Sequence, residues 1–122
     1  MYEEADEEAM RLHDYYITQT GFTLPSTYAD LLLFVELSGG MVAFHQEAPE
    51  DFYGLQMGEW IIVGGGARRT DRELMLILAH EWCHWLRRQD AEGLHFRLYE
   101  VSDDAAERDR EEKIARAFER MF

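Results

Sequence analysis

The segment Leu74–Leu86 reads LMLILAHEWCHWL and contains the pattern H-E-x-x-H from His80 to His84. Its apolar residues predict a buried helix, on which residues four apart lie on one face, so the two histidines can bind one ion. Glu81 lies one step round the helix, within reach of a water at that ion. This pattern is typical of zinc metallopeptidases that use the glutamate as general base. The alternative is an amphipathic helix whose two histidines have only a packing or surface role.

Before this helix, the sequence predicts two helices and a small sheet. The second helix is led by Pro25, ends before a pair of glycines and is nearly all apolar, which predicts that it is well buried. Gly58–Glu59 is typical of a tight turn, so three successive short strands predict an antiparallel meander. The predicted elements are helices over 3–20 and 25–37 and strands over 41–46, 52–57 and 60–63.

After the sheet, the sequence predicts two further helices. Thr70 and Glu73 form a capping box at the start of the H-E-x-x-H helix. The segment 94–101 is ambiguous between loop and strand, and a cap at Ser102–Asp104 predicts a last helix ending near Met121. These elements together predict an α+β fold with one domain over residues 1–122.

The chain is strongly acidic, with a formal net charge of −13 over 122 residues. This charge argues against binding to nucleic-acid phosphates or to acidic membrane surfaces, and it is compatible with a basic protein partner or substrate. Cys83 is the only cysteine, so no disulfide can form within the chain, and we expect it to be a small core residue. The sequence has no membrane-spanning run and no secretory signal pattern, so we expect a cytoplasmic protein.

A catalytic zinc needs three protein ligands and one open position. Asp90 belongs to the pattern H-E-x-x-H-x-x-G-x-x-H/D, in which a glycine lets the chain turn back after the helix. Arg87 occupies that glycine position, where a left-handed backbone is unfavourable. A glutamate on the last helix could act as the third ligand without such a turn, because it requires only that the two helices pack face to face. The candidates for the third ligand are Asp90, His95, Glu107, Glu111 and Glu112.

A family resemblance is carried by the stretches Gly58–Val63, Leu78–Leu86 and Glu112–Phe118. They resemble the ImmA/IrrE family of small zinc metallopeptidases, whose last strand reads G-x-x-x-I-x-I. In that family a helix with A-H-E-x-x-H follows, and then a helix with E-x-x-A-N-x-F-A. The resemblance covers residues from about 25 to 122. It implies a small zincin-like fold that binds Zn²⁺ through His80, His84 and Glu112, with Glu81 as the catalytic base.

The chain departs from the family pattern at two positions of the last helix. Arg116 stands where the family usually has Asn or Asp, and Glu119 stands where it has alanine. Arg116 cannot accept a hydrogen bond from a ligand histidine, so that support must come from another residue. The departure leaves Glu111 as an alternative to Glu112, which we favour as the ligand.

The resemblance implies a zinc-dependent peptidase in which Glu81 activates a zinc-bound water for attack on a peptide bond. The last strand is expected to line the cleft and to pair with an extended substrate through Trp60, Ile61, Ile62 and Val63. His95, Arg97 or Tyr99 could stabilise the oxyanion. Members of the family often cleave helix-turn-helix repressors of phages and mobile elements, which implies a protein substrate and no direct binding of nucleic acid.

Two other functions are compatible with the same residues. The chain could be a non-catalytic, metallopeptidase-like module that binds a protein partner, or a component of a toxin–antitoxin pair. Glu81 argues against the non-catalytic module, because a purely structural metal site has no use for a general base.

Overall fold

The computed structural model describes residues 3–65, 69–89 and 105–122. The helices are α1 (Glu3–Tyr16), α2 (Tyr28–Leu37), α3 (Asp71–Gln89) and α4 (Ala105–Glu119), and the strands are β1 (Met41–His45), β2 (Gly54–Met57) and β3 (Trp60–Gly64). The predicted α+β class is confirmed. In the described ranges no helix is long and apolar enough to cross a membrane. The predicted segment 94–101 and the cap at 102–104 lie outside the described residues.

The helix α1 buries an apolar stripe and packs it against α4. Ala9 and Leu12 are fully buried in the same core as Phe118 of α4. The regular helix ends at Tyr16, earlier than predicted, and a short 3-10 turn follows. Gly21 ends that turn with a φ of 76°, a left-handed conformation that glycine adopts without steric cost.

The helix α2 begins later than the sequence predicts. Its N-cap is Thr27, whose side chain accepts a hydrogen bond from the backbone N–H of Asp30 at 3.1 Å, so Pro25 precedes the helix and is not in its first turn. The prediction that α2 is well buried is only half right. Leu31 and Val35 are fully buried, whereas Leu33 is 59% exposed, because an unbroken apolar run leaves part of a surface helix facing solvent.

The sheet is mixed, so the predicted antiparallel meander is wrong. The strand order is β1-β3-β2, with β1 parallel to β3 and β2 antiparallel to β3. The tight turn at Gly58, with a φ of 59°, joins β2 to β3 as a hairpin. Residues 46–53 are too long a connection for a hairpin, and they carry the chain past the position that β3 occupies.

The two faces of the sheet have different surroundings. Ile61 and Val63 of β3 point into the core, where both are fully buried. In the strand register, Gly54 of β2 lies opposite Val63 and therefore on the same inner face, which is directed toward α3. Side chains alternate along a strand, so Trp60 and Ile62 lie on the outer face, away from α3.

The helix α3 is anchored at its N-terminus and by two tryptophans. The predicted capping box is confirmed, since the Glu73 backbone N–H donates to Thr70 Oγ1 at 3.1 Å and Glu73 Oε1 accepts from the Thr70 backbone N–H at 3.3 Å. Trp82 Nε1 donates to Ser38 Oγ, and Trp85 Nε1 donates to the Glu59 carbonyl, each at 3.1 Å. These bonds set the rotation of α3, which turns its histidines toward α4. Cys83 is fully buried, as predicted.

Candidate metal centre

The two histidines of α3 lie side by side at the surface of the core. His80 and His84 are one helical turn apart, and their ring centroids are 5.0 Å apart. Their side chains are 17% and 20% exposed, so both are largely shielded from water but accessible from one side. The flanking residues Ala79, Trp82 and Cys83 are fully buried, so the opposite side of the helix faces the core and the imidazoles face α4.

Glu112 of α4 lies between the two imidazoles. Its Oε2 is 3.1 Å from His80 Nε2, and its Oε1 is 3.0 Å from His84 Nε2. The ligand atoms of the three residues all lie within 4.8 Å of one another. The structure therefore brings together the three residues that the sequence predicts as metal ligands. The packing of α4 on α3 through Ile114, Ala115 and Phe118 makes this approach possible.

The donor set fits a zinc ion. Two imidazole nitrogens and one carboxylate are a common set of protein ligands in catalytic zinc sites. Bond lengths of about 2.0–2.1 Å in a tetrahedral site place the ligand atoms about 3.3 Å apart. The two separations of 3.0 and 3.1 Å are within a few tenths of an ångström of that value. Small side-chain rotations would admit the ion without moving either helix.

Glu111, the alternative ligand, is engaged elsewhere. Its two carboxylate oxygens accept hydrogen bonds from Nε and Nη2 of Arg87, each at 3.0 Å. A carboxylate held in a bidentate pair with arginine is turned away from the histidines. The helix α3 continues through Arg87 to Gln89, so the chain makes no turn at the position where the Asp90 pattern needs a glycine. Asp90 and His95 lie outside the described residues.

Glu119 is a site residue that the sequence reasoning did not identify. Its Oε1 lies 2.8 Å from Nδ1 of His80, on the opposite side of the ring from Glu112. It follows Glu112 by seven residues, which is two helical turns and the same face of α4. This spacing could have identified Glu119 from the sequence as a second carboxylate on the face of the helix that carries Glu112. Arg116 is exposed, so it contributes nothing to the histidines.

The carboxylates of α4 control the charge of His80. Burial by itself lowers the pKa of His80, but its hydrogen bonds with Glu112 and Glu119 outweigh burial and raise the pKa to about 10. The same bonds to His80 and His84 hold the pKa of Glu112 well below its usual range. Glu112 is therefore anionic, which is the form that binds a cation.

Glu81 lies in a cleft beside this cluster. The cleft has a volume of about 350 Å³, and its walls include Tyr53, Ile77, His80 and Glu119. Burial raises the pKa of the Glu81 carboxyl, although the neighbouring His84 and His80 oppose the shift. A carboxylate with a raised pKa is a stronger base than one in water, so Glu81 suits proton transfer.

The strand beside the cleft is β2, which corrects the expectation for β3. Both edges of β3 are hydrogen-bonded, one to β1 and the other to β2, so its backbone cannot pair with a substrate. The side chains of Ile61 and Val63 lie in the core, and those of Trp60 and Ile62 lie on the outer face. Sheet order, which sequence reasoning could not supply, decides this point.

The side of β2 that faces away from β3 is not paired with any other described strand. Tyr53, the residue before β2, lines the cleft, and the Arg69 guanidinium lies 4.4 Å from the centre of its ring. The predicted oxyanion residues His95, Arg97 and Tyr99 lie outside the described residues.

Compared with known proteins, the chain matches no protein-family model, no curated protein and no solved structure. The resemblance to the ImmA/IrrE family therefore rests on the sequence motifs alone.

Proposed function

We propose that this chain is a zinc-dependent metallopeptidase with a zincin-like fold, similar to the ImmA/IrrE family. One observation carries the proposal. The Glu112 carboxylate lies 3.1 and 3.0 Å from the Nε2 atoms of two histidines in an H-E-x-x-H helix, and the motif's own glutamate faces an adjacent cleft. A helix with two incidental histidines would not need a second helix to supply an acidic partner to both.

His80, His84 and Glu112 would hold the metal. When bound, zinc supplies a Lewis acid that acidifies water and polarises a carbonyl oxygen. Glu81 would take one proton from the attacking water, whose oxygen forms the new bond to the peptide carbon. As the carbon–nitrogen bond breaks, Glu81 would return that proton to the leaving amine. The net reaction consumes one water for each peptide bond cleaved and yields one carboxyl group and one amino group.

The edge strand β2 would bind the substrate backbone. An extended peptide can add to a strand edge through main-chain hydrogen bonds, and Gly54 places β2 beside Glu81 and Ile77 of α3. The absence of a side chain at Gly54 lets β2 pack close to Glu81, because a Cβ there would lie 2.8 Å from Cγ of Glu81. A peptide on this edge would pass close to the general base.

The preferred substrate would be a basic or unfolded protein segment. The net charge of −13 favours such a partner over a nucleic acid, and Glu73 and Glu119 are among the walls of the cleft. The family resemblance suggests a helix-turn-helix repressor, whose DNA-binding surface is basic. Regulation would then act through cleavage of a protein partner.

Zinc content and cleavage test this proposal together. The protein, purified without added metal and then dialysed against zinc, should retain one zinc per chain by plasma mass spectrometry. His84→Ala should lose it, because that variant removes one of three ligands. A parent chain that retains no zinc would refute the metallopeptidase assignment. A parent that retains zinc yet cleaves no basic or unfolded protein would favour a non-catalytic binding module.

A further inference from the structure

The geometry points to Glu119 as the residue that positions His80 for metal binding, a role that rests on the proposed function. In the family that this chain resembles, an Asn or Asp at the position of Arg116 supports a ligand histidine. Arginine cannot accept that hydrogen bond, so Glu119 would take over the role in this chain. Glu119 would be a positioning residue, because it acts through His80 and not on a substrate.

The hydrogen bond at Nδ1 determines which nitrogen of His80 is available. An imidazole that donates its Nδ1–H to a carboxylate leaves the lone pair of Nε2 free for a ligand bond. Glu119 Oε1 lies 2.8 Å from Nδ1, and Nε2 points toward Glu112 at 3.1 Å. The ring of His80 is thereby held from both sides, in the orientation that directs Nε2 into the cluster.

The support is specific to His80. Among the described residues, His84 has a carboxylate contact at Nε2 alone, to Glu112. Glu119 reaches His80 because it lies two turns beyond Glu112 on α4, next to the fully buried Phe118 that fixes the helix against the core. Its side chain is 29% exposed, so the hydrogen bond is partly shielded from competing water. A bond of this kind strengthens the imidazole as a ligand.

The rate of zinc release tests this role. Zinc-loaded protein is mixed with an excess of a chromogenic chelator, and the colour change follows dissociation. This rate reflects the zinc-loaded protein, so the protonation of His80 in metal-free protein does not enter it. Losing such a partner usually lowers metal affinity about 10–100-fold, and with an unchanged association rate Glu119→Ala should release zinc faster than the parent by the same factor. Glu119→Gln should stay within a few-fold, because its amide oxygen still accepts the Nδ1–H bond.

Arg116→Ala is the matched control, one turn away on the same helix, and it should release zinc at the parent rate. Circular dichroism melts should show all three variants folded. Release from Glu119→Ala at the parent rate, with the parent itself retaining zinc, would overturn the role of Glu119 and leave the metallopeptidase proposal intact. Equal acceleration in Glu119→Ala and Glu119→Gln would also overturn it, since charge and not the hydrogen bond would then matter. A parent that binds no zinc would overturn both.

Discussion

Replacing Gly54 with alanine tests the placement of Glu81 without touching any predicted ligand. An added Cβ at position 54 would lie 2.8 Å from Glu81 Cγ, 3.0 Å from Ile77 Cγ2 and 3.1 Å from the Ile62 carbonyl oxygen. Ordinary contacts of this kind are 3.4–4 Å, so restoring one requires Glu81 and the strand to separate by about 0.6 Å, the difference between 3.4 and 2.8. Gly54 is not among the glycines with positive φ, so the effect comes from crowding and not from backbone strain.

Crowding of this kind costs about 1–3 kcal/mol of the free energy of unfolding. The loss of glycine's freedom in the unfolded chain returns about 0.4–1 kcal/mol, so we expect a net destabilisation of about 1–2 kcal/mol. Displacing a catalytic group by about 1 Å can cost about 100-fold in rate. We therefore expect Gly54→Ala to cleave a fluorescently labelled, unfolded basic protein about 10–100-fold more slowly, with its zinc content unchanged.

Gly58→Ala is the matched control. Gly58 has a φ of +59°, and a Cβ there would meet nothing within 4 Å. Alanine in this left-handed conformation costs about 1–2 kcal/mol, a loss similar to that at Gly54, but the site is untouched. Urea unfolding should show similar destabilisation of the two variants, and only Gly54→Ala should lose activity. If both variants cleave at the parent rate, the assigned position and role of Glu81 are wrong.

Three further predictions concern the same centre. Glu81→Gln should keep its zinc and lose about 10²–10⁴-fold in cleavage rate, because glutamine cannot accept the proton; an undiminished rate would remove the peptidase mechanism. By plasma mass spectrometry, Asp90→Ala should retain zinc as the parent does, whereas Glu112→Ala should lose it. The opposite result would show that Asp90, and not Glu112, is the third ligand. In chelator-treated protein, the hydrogen bonds of protonated His80 raise its pKa from 6.5 to about 10 and so stabilise the fold. This stabilisation is complete below pH 6.5 and is lost as the pH rises through about 10. The urea midpoint should accordingly fall between pH 7 and pH 10 by more in the parent than in His80→Gln, and equal falls would contradict the shift.

Local chemistry made much of the α3 helix predictable. The H-E-x-x-H spacing puts His80 and His84 on one face of any helix, and the Thr70–Glu73 capping box forms within four consecutive residues. Both features depend on residues within one or two turns of each other. They hold irrespective of how the other elements pack.

The choice between neighbouring acids on α4 was not predictable with the same security. Glu111 and Glu112 are separated by about 100° around the helix, and a small change in the rotation of α4 would exchange them. Burial of Ile114 and Phe118 sets that rotation, and the bidentate pair of Glu111 with Arg87 stabilises it. Both are contacts between distant parts of the chain.

Local sequence patterns were enough to predict the candidate zinc ligands, the candidate base beside them and the chain order of the described helices and strands. Three features emerged only from the packing of distant segments: β3 is the central strand, Gly54 of β2 lies beside Glu81, and Glu119 contacts His80. The physical reason is the separation in sequence of the residues that interact. Helical spacing and capping are set by neighbours along the chain, whereas strand order and the contact between two helix faces depend on which arrangement of distant segments buries the most apolar surface.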